Sequence, residues 1–343
     1  MKNNRNITAK TIAAHAAIEV VLAGLILCIF ATFHHVIPKL FPESSDVIVG
    51  TQIIPDAVPE EVSSESDAAA TEKVYETSWQ EKFAEHFSDA VVSEDDRYVS
   101  SDVSVEVTTH TVEADGATAT YHVADIYVSH IENFATYFPQ NEFRHYGCAD
   151  AETLDAESGA IVSINGDYCN AQFSGVLVRN GIEYMQGQTE CDICVLYCDG
   201  TMKTFAPNEY VGSELVKQDV WQVWKFGPAL LDNEGAAKEK FNCSSYIKSG
   251  NPRSAVGYYE PGHYCFVVVD GRQNGSQGMK MKTLSKLFEE LGCTCAYNLD
   301  GGASATMTFN DKVFNSPSNG GRELGDILLI REYEANEEAE RTQ

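Results

Sequence analysis

Read as hydrophobic and polar positions, the chain changes period several times. Residues 16–37, "AAIEVVLAGLILCIFATFHHVI", are apolar almost throughout, matching the roughly 20 residues that a bilayer-crossing helix needs. Residues 38–98 then lose all periodicity. Asp and Glu recur there beside Ser, Ala and Pro, and such a stretch buries too little apolar surface to offset its ordering entropy. It predicts a solvated acidic spacer. From residue 99 the pattern is one of strands. "SSDVSVEVTTHTVEADGATATYHVADIYVS" alternates Val, Thr and Tyr with polar residues, and Asp115-Gly116 marks a hairpin turn. "IENFATYF" predicts a short helix. "GAIVSINGDYC", "SGVLVRNG", "CDICVLYC" and "VWQVWKFGPALL" read as strands, with Asp199-Gly200 turning the third into "TMKTF".

The last third is the most regular. "HYCFVVVDGR" is apolar without alternation, the pattern of a strand buried on both faces. "TLSKLFEELG" puts Leu284, Leu287, Phe288 and Leu291 on one helical face, with Thr283 suited to the N-cap and Gly292 to the C-terminal stop. "CTCAYNLDGG" returns as a strand. Strand, helix and strand in such succession predict a parallel crossover. The fold class is therefore α+β (mixed α/β): a largely mixed β-sheet with few helices, one parallel strand–helix–strand crossover, and an N-terminal transmembrane helix.

Charge orients this layout. Lys2, Arg5 and Lys10 precede the apolar run and acidic residues follow it, which places the N-terminus inside and the remainder outside. No small-x-small site follows the run, so an uncleaved anchor is favoured over a signal peptide, and Leu27 before Cys28 is unlike a lipoprotein site. The expected organisation is a cytosolic segment 1–15, an anchor 16–37, a spacer 38–98, a catalytic domain 99–334 and a charged tail 335–343. Lys and Arg number 24 against 51 Asp and Glu, a formal charge of −27, which argues against nucleic acid and anionic lipid as non-specific partners. Ten cysteines, nine beyond the anchor, suggest disulfides in an external domain. Cys191, Cys194 and Cys198 lack an evident fourth ligand and are read as hairpin residues rather than a zinc site.

Candidate chemistry gathers at strand ends. Asp270 and Asp300 both fall just past the carboxyl end of a strand, the edge where ligand crevices form in α/β units. In "YNLDGGASATM", Gly301 and Gly302 would let backbone N–H groups approach an anion, and Ser304 and Thr306 would add hydroxyl donors. Asp300 would repel a bare phosphate, so it should face a sugar hydroxyl or an anomeric carbon. Arg253 and Arg272 would balance phosphate charge. No spacing demands a metal, and no cofactor is predicted, although a divalent cation near the clustered carboxylates is not excluded.

Taken together, "INGDYC", "FGPALL", "RSAVGYY", "FVVVDGR", "NLDGGASATM" and "NSPSNGGRELGDILLI" resemble, in order and spacing, the phosphodiester glycosidases, a family with lysosomal and bacterial exopolysaccharide-associated members. The resemblance runs from about Tyr121 to Arg331. Carried over by position, Asn165, Gly166 and Asp167 match the family's Asn-Gly corner, and Arg253 opens its Arg-Ser-Ala-Val-Gly segment. Asp270, Gly271 and Arg272 match its Asp-Gly-Arg, and Asn298, Asp300, Gly301 and Gly302 its signature loop. Arg322 and Glu323 fall in its Gly-Gly-Arg-Glu stretch. Asp167, Tyr168 and Ala303 depart from the usual pattern. The resemblance implies hydrolysis of the C1–O–P bond of sugar-1-phosphodiesters; together with the N-terminal anchor it leads to the expectation of a membrane-anchored, extracytoplasmic glycosidase acting on phosphate-linked glycans or exopolysaccharide. It makes Asp300 the base or nucleophile with Glu323 or Asp270 as partner. Arg253, Arg272 and the Gly301-Gly302 amides would hold phosphate. The alternative is a non-catalytic polysaccharide-binding envelope protein that scaffolds synthesis or export.

Overall fold

The computed structural model describes residues 78–333. The segment 1–15, the apolar run 16–37, most of the spacer and the tail 335–343 lie outside the described residues. Among those described, no helix is long and apolar enough to cross a membrane. The fold begins before residue 99. Trp79 and Phe83 are buried in the main core, and the Trp79 N–H donates to the Ser129 carbonyl at 2.7 Å. Residues 78–98, read as spacer, therefore belong to the domain.

Two short strands, β1 (Val92–Ser93) and β2 (Arg97–Val99), lead into the expected hairpin of β3 (Val103–Ala114) and β4 (Ala117–Val128). The segment read as a helix makes one helical turn at Ile131–Asn133 and then becomes β5 (Phe134–Tyr137), because pairing within a sheet outweighs its local helical pattern. After α1 (Ala151–Ser158) come β6 (Val162–Asn165), β7 (Val176–Arg179), β8 (Ile182–Gln186), β9 (Ile193–Tyr197) and β10 (Met202–Phe205). The short helix α2 (Gly212–Leu215) precedes β11 (Val220–Trp224), and α3 (Ser245–Lys248) precedes β12 (Arg253–Glu260) and β13 (His263–Val269). The chain continues through α4 (Met281–Glu290), β14 (Cys295–Asn298), β15 (Met307–Phe309), β16 (Lys312–Val313) and β17 (Ile327–Ile330).

These strands form three sheets: β1-β2-β3-β4-β13-β12-β14, β10-β9-β11-β7-β8 and β16-β15-β6-β17-β5. Their ladders are all antiparallel, so the expected mixed sheet is corrected to an antiparallel one. The domain is mostly β with few helices. The predicted crossover is split. β13 and β14 do run the same way, but β12 lies between them and is antiparallel to both. Thr283 is not the helix cap either. Asp115 in the hairpin turn accepts from the Lys280 N–H at 2.8 Å and the Thr283 hydroxyl at 2.9 Å, tying α4 to the β3–β4 turn.

Both faces of the first sheet are covered, which explains the unbroken apolar run of β13. Tyr264, Phe266 and Val268 enter the main core with residues of the other two sheets. Cys265, Val267 and Val269 face α4 through Met281, Leu284 and Phe288. The disulfides expected from the cysteine count are not formed among the described residues: most of the nine cysteines there are packed as small apolar residues, and the sulfurs of Cys265 and Cys293 are 3.7 Å apart, too far for a bond. Cys293 and Cys295 serve opposite faces, because Cys293 precedes β14.

This stacking fixes the functional edge. Antiparallel β12 starts where β13 and β14 end, so Arg253 stands opposite Val269 and beside the Asn298 end of β14. The close packing depends on Gly257. A Cβ there would stand 2.6 Å from Cys265 Sγ and 2.7 Å from Phe288 Cε1. Gly257→Ala is expected to lower stability by about 1–3 kcal/mol through overpacking, read as a shift of the urea midpoint; an unchanged midpoint would contradict the packing.

Candidate active site

The loop after β14 is held by one buried side chain. Asn165, at the end of β6, donates to the Asp300 carbonyl at 2.7 Å and the Gly166 carbonyl at 3.0 Å. Its Oδ1 accepts from the Ser254 hydroxyl at 2.5 Å and the Thr306 N–H at 3.3 Å. Asn165 is 1% exposed, so it organises the edge and does not face solvent.

The Asp300 carboxylate is tightly oriented. Oδ1 accepts from the Gly301 N–H at 2.9 Å, and Oδ2 accepts from the Ser304 hydroxyl at 2.6 Å and pairs with the Arg322 guanidinium. Arg322 also donates to Ser304 and lies 5.2 Å from the centre of the Tyr168 ring. Asp300 lines a crevice with Asn165, Gly166, Tyr168, Glu323 and Asp326. With Arg322 turned onto Asp300, that crevice holds about 20 Å³, room for roughly one water. Glu323 is exposed and has no hydrogen bond or ion pair among the described residues.

On the other side of Asp300 and Arg322 is a larger cleft of about 260 Å³, lined by Arg253, Arg272, Tyr246, Asn251 and Gly301-Gly302. Arg253 is buried, and its guanidinium donates to the carbonyls of Met279 at 3.0 Å, Ile247 at 2.7 Å and Ser249. Burial lowers its pKa to about 10. Arg272 donates at 2.8 Å to both the Tyr246 hydroxyl and Asn251 Oδ1. Among the described residues neither arginine is paired with a carboxylate, unlike Arg179 or Arg322. Two guanidinium groups without a carboxylate partner thus line this concave surface and give it positive charge.

The glycines act differently from the expectation. The Gly301 N–H is spent on Asp300, and the Gly302 N–H donates to the Pro252 carbonyl at 3.1 Å, so neither forms an open amide nest. Their small size matters instead. A Cβ on Gly301 would stand 2.6 Å from the Pro252 carbonyl oxygen, and one on Gly302 3.1 Å from Arg272 Nη1.

Other expected residues are placed elsewhere. Asp270 does not line the cleft or the crevice. Its Oδ1 accepts from Asn315 Nδ2 at 2.9 Å and the Ser316 N–H at 3.0 Å, and its Oδ2 lies 3.4 Å from His122 Nε2. It latches the loop that leads to Arg322 and Glu323, so its convergence with Asp300 is not seen. Thr306 is buried and contributes its N–H to Asn165. Asn298 is also buried, donating to the carbonyls of Gly227 at 2.8 Å and Leu299 at 2.9 Å.

Asp167 lies beneath the crevice. Its Oδ1 pairs with Arg179 at 2.8 Å and its Oδ2 accepts from the Lys225 N–H at 2.7 Å. The same guanidinium pairs with Asp326 at 3.1 Å. Burial lowers the Arg179 pKa, and the two carboxylates more than reverse the effect. Burial pushes Asp326 up to about 6 against the pull of Arg179. Asp167, Cys169 and Asp326 have ligand atoms within 4.8 Å of one another. Arg179 already supplies the positive charge there, so this group does not fit a divalent cation.

Tyr246, Asn251 and Asp326 escaped the sequence reading. Only Asp326 had a signal, inside the "NSPSNGGRELGDILLI" segment. Gly166 is small because Asp326 occupies its open side: a Cβ would stand 2.0 Å from Asp326 Oδ1.

Residues 158–331 match the family model described as Phosphodiester glycosidase. A Bacillus subtilis (strain 168) relative, the SPbeta prophage-derived uncharacterized protein YomE, is 28% identical over 196 residues, covering 54% of this chain and 30% of its own length. The chain thus spans less than a third of that relative. Among solved structures, the fold is similar to the zebrafish N-acetylglucosamine-1-phosphodiester alpha-N-acetylglucosaminidase catalytic domain auto-inhibited by pro-peptide. That match has a TM-score of 0.57 and 19% identity, covering 67% of this chain and 84% of that one. A hypothetical protein from Synechocystis matches with a TM-score of 0.53 and 12% identity, covering 71% of this chain and 64% of that one.

Removing Arg179 strands two buried carboxylates. Arg179→Met is expected to destabilise the fold by about 3–5 kcal/mol at pH 8. The loss should shrink at pH 5, because Asp326, with its raised pKa, then takes a proton and sheds the unpaired charge. Urea unfolding at the two pH values checks this; an equal loss at both would contradict it.

Proposed function

The chain belongs to the phosphodiester glycosidase family, and on that footing we propose that it hydrolyses sugar-1-phosphodiesters between the anomeric carbon and the phosphate oxygen. One observation carries the reading: a cleft with two guanidinium groups that lack a carboxylate partner adjoins a crevice lined by the carboxylates of Asp300, Glu323 and Asp326, and Asp300 and Arg322 border both. In this reading the phosphate lies against Arg253, Arg272 and the Tyr246 hydroxyl, and the sugar lies over Asp300 toward Glu323.

The chemistry suits such a division. Attack at C1 breaks the C1–O bond, and the phosphate monoester leaves with the electron pair. Its second pKa of about 6 means that it leaves well without full protonation. Stabilising its charge then matters more than a strong general acid. Water supplies the new C1–O bond, and its proton passes to a carboxylate. Asp300 acts as the base or nucleophile, held by Gly301 and Ser304, and Glu323 is the second carboxylate. Arg322 is 44% exposed at its side chain, so it is free to leave Asp300 for an arriving phosphate. That exchange uncovers the carboxylate and widens the crevice only when substrate is present. Asn165, Asp270 and Asn298 are positioning residues in this account.

The proposal extends to location and substrate source. The apolar run 16–37, with positive residues before it and acidic residues after it, supports an anchored enzyme facing outward. Phosphate-linked glycan or exopolysaccharide would be its substrate there.

Turnover of a sugar-1-phosphodiester by the full-length chain in oxygen-18 water tests the reaction. Label should enter the sugar; label in phosphate would indicate P–O cleavage and contradict the reading. Asp300→Asn should lower kcat by about 10²–10⁴-fold, and Arg272→Gln should chiefly raise KM. Unchanged turnover in Asp300→Asn would remove that residue from the mechanism. Binding without product would favour a polysaccharide-binding scaffold instead.

A further inference from the structure

We propose that an aromatic shelf beside the carboxylate crevice binds a second sugar, so that the substrate is an oligosaccharide or longer glycan ending in the phosphodiester. The inference rests on the sugar side of the crevice assigned above. Among the described residues, the exposed large aromatic side chains are Tyr146 at 70%, Phe173 at 62%, Tyr168 at 43% and Tyr246 at 67%. Two of the four border this site, and the other two are tied to it by short contacts. Tyr246 lines the anion cleft and Tyr168 the crevice. Tyr146 and Phe173 stand just outside it, with no place in any core cluster.

Their position follows from short connections. The Tyr146 N–H donates to the Asn170 carbonyl at 3.0 Å, and Asn170 Nδ2 lies 3.2 Å from the sulfur of Cys148, a crevice-lining residue. Phe173 meets the Tyr146 ring edge-on at 5.7 Å and stacks on His145 at 4.3 Å. Tyr146 and Tyr168 both have left-handed backbone, with φ of +62° and +61°, which bulky L-residues adopt only at a cost. The chain thus accepts local strain on both segments while leaving apolar ring surface in water, a pattern of binding surfaces rather than of folding.

The chemistry selects a glycan. Flat rings with mixed apolar and polar character suit the apolar faces of pyranose rings. Tyr168 and Cys148 line the crevice and not the cleft of Arg253 and Arg272, so the shelf adjoins the sugar side, where the next sugar of a chain would emerge. The strong negative charge of the molecule disfavours anionic lipid.

The test compares mono- and trisaccharide 1-phosphodiesters of glucose and of N-acetylglucosamine, using the full-length chain and a Tyr146→Ala/Phe173→Ala variant. Wild type should show a KM about tenfold lower for the preferred trisaccharide ester, roughly what one stacked ring contributes. The variant should lose that advantage while keeping its KM for the single-sugar ester and its melting temperature. Phe173→Ala alone serves if the double variant fails to fold. Equal KM values for both lengths in wild type would overturn the shelf and leave the hydrolytic reading intact. Absence of turnover on every ester would instead defeat that reading. Calorimetry with phosphate-free trisaccharides would then decide the shelf: binding lost in the variant supports it, and no binding to wild type overturns it. A variant that changes only the oligomeric state would also overturn it, by showing the shelf to be a contact between copies.

Discussion

At the Asn165 amide, groups from four separate parts of the chain meet in hydrogen bonds: the Gly166 and Asp300 carbonyls, the Ser254 hydroxyl and the Thr306 N–H. Each belongs to a different strand end or the loop beyond it. A buried amide has a fixed number of donors and acceptors, and satisfying them here sets β6, β12, β14 and β15 at one edge. Asp300 inherits its position from that arrangement. Because the amide holds the Asp300 carbonyl, the carboxylate is free to be aimed by Gly301 and Ser304.

A second constraint lies one layer below. Asp167 and Asp326 share Arg179 in a fully buried cluster, and Asp326 packs over Gly166 at the crevice floor. Buried ion networks are weak evidence for stability, but separating their members strands uncompensated charge, which keeps these three side chains together. The acidic side of the site is thereby held apart from the cationic cleft. Asp300 and Arg322 border both, and Arg322 is the exposed member of that pair. The division of labour in the proposed reaction follows from that asymmetry of burial.

Much of the framework was legible because its signals are local. The β3–β4 hairpin is announced by alternation and Asp115-Gly116, and α4 by the spacing of Leu284, Leu287 and Phe288. The signature loop at Asp300 was found for the same reason. What escaped were pairings between distant segments. β12 separates β13 from β14 through contacts that no local period encodes, and β5 became a strand because β17 lies beside it. The same limit applies to the site. Asp270 and Asp300 occupy equivalent strand ends in the sequence, yet His122 and Asn315, remote in the chain, take up Asp270. Whether a strand-end carboxylate faces a cleft or a latch depends on its tertiary neighbours. The glycine pair was read as an amide nest, whereas its hydrogen bonds are internal and its value is close approach.

A structure of the protein with a sugar 1-phosphate bound tests the central claim most directly. The account predicts phosphate oxygens in contact with Arg253 and Arg272, Arg322 turned away from Asp300, and the anomeric carbon facing the Asp300 carboxylate. Phosphate bound elsewhere, or Arg322 still paired with Asp300 while the sugar lies outside the crevice, would contradict it.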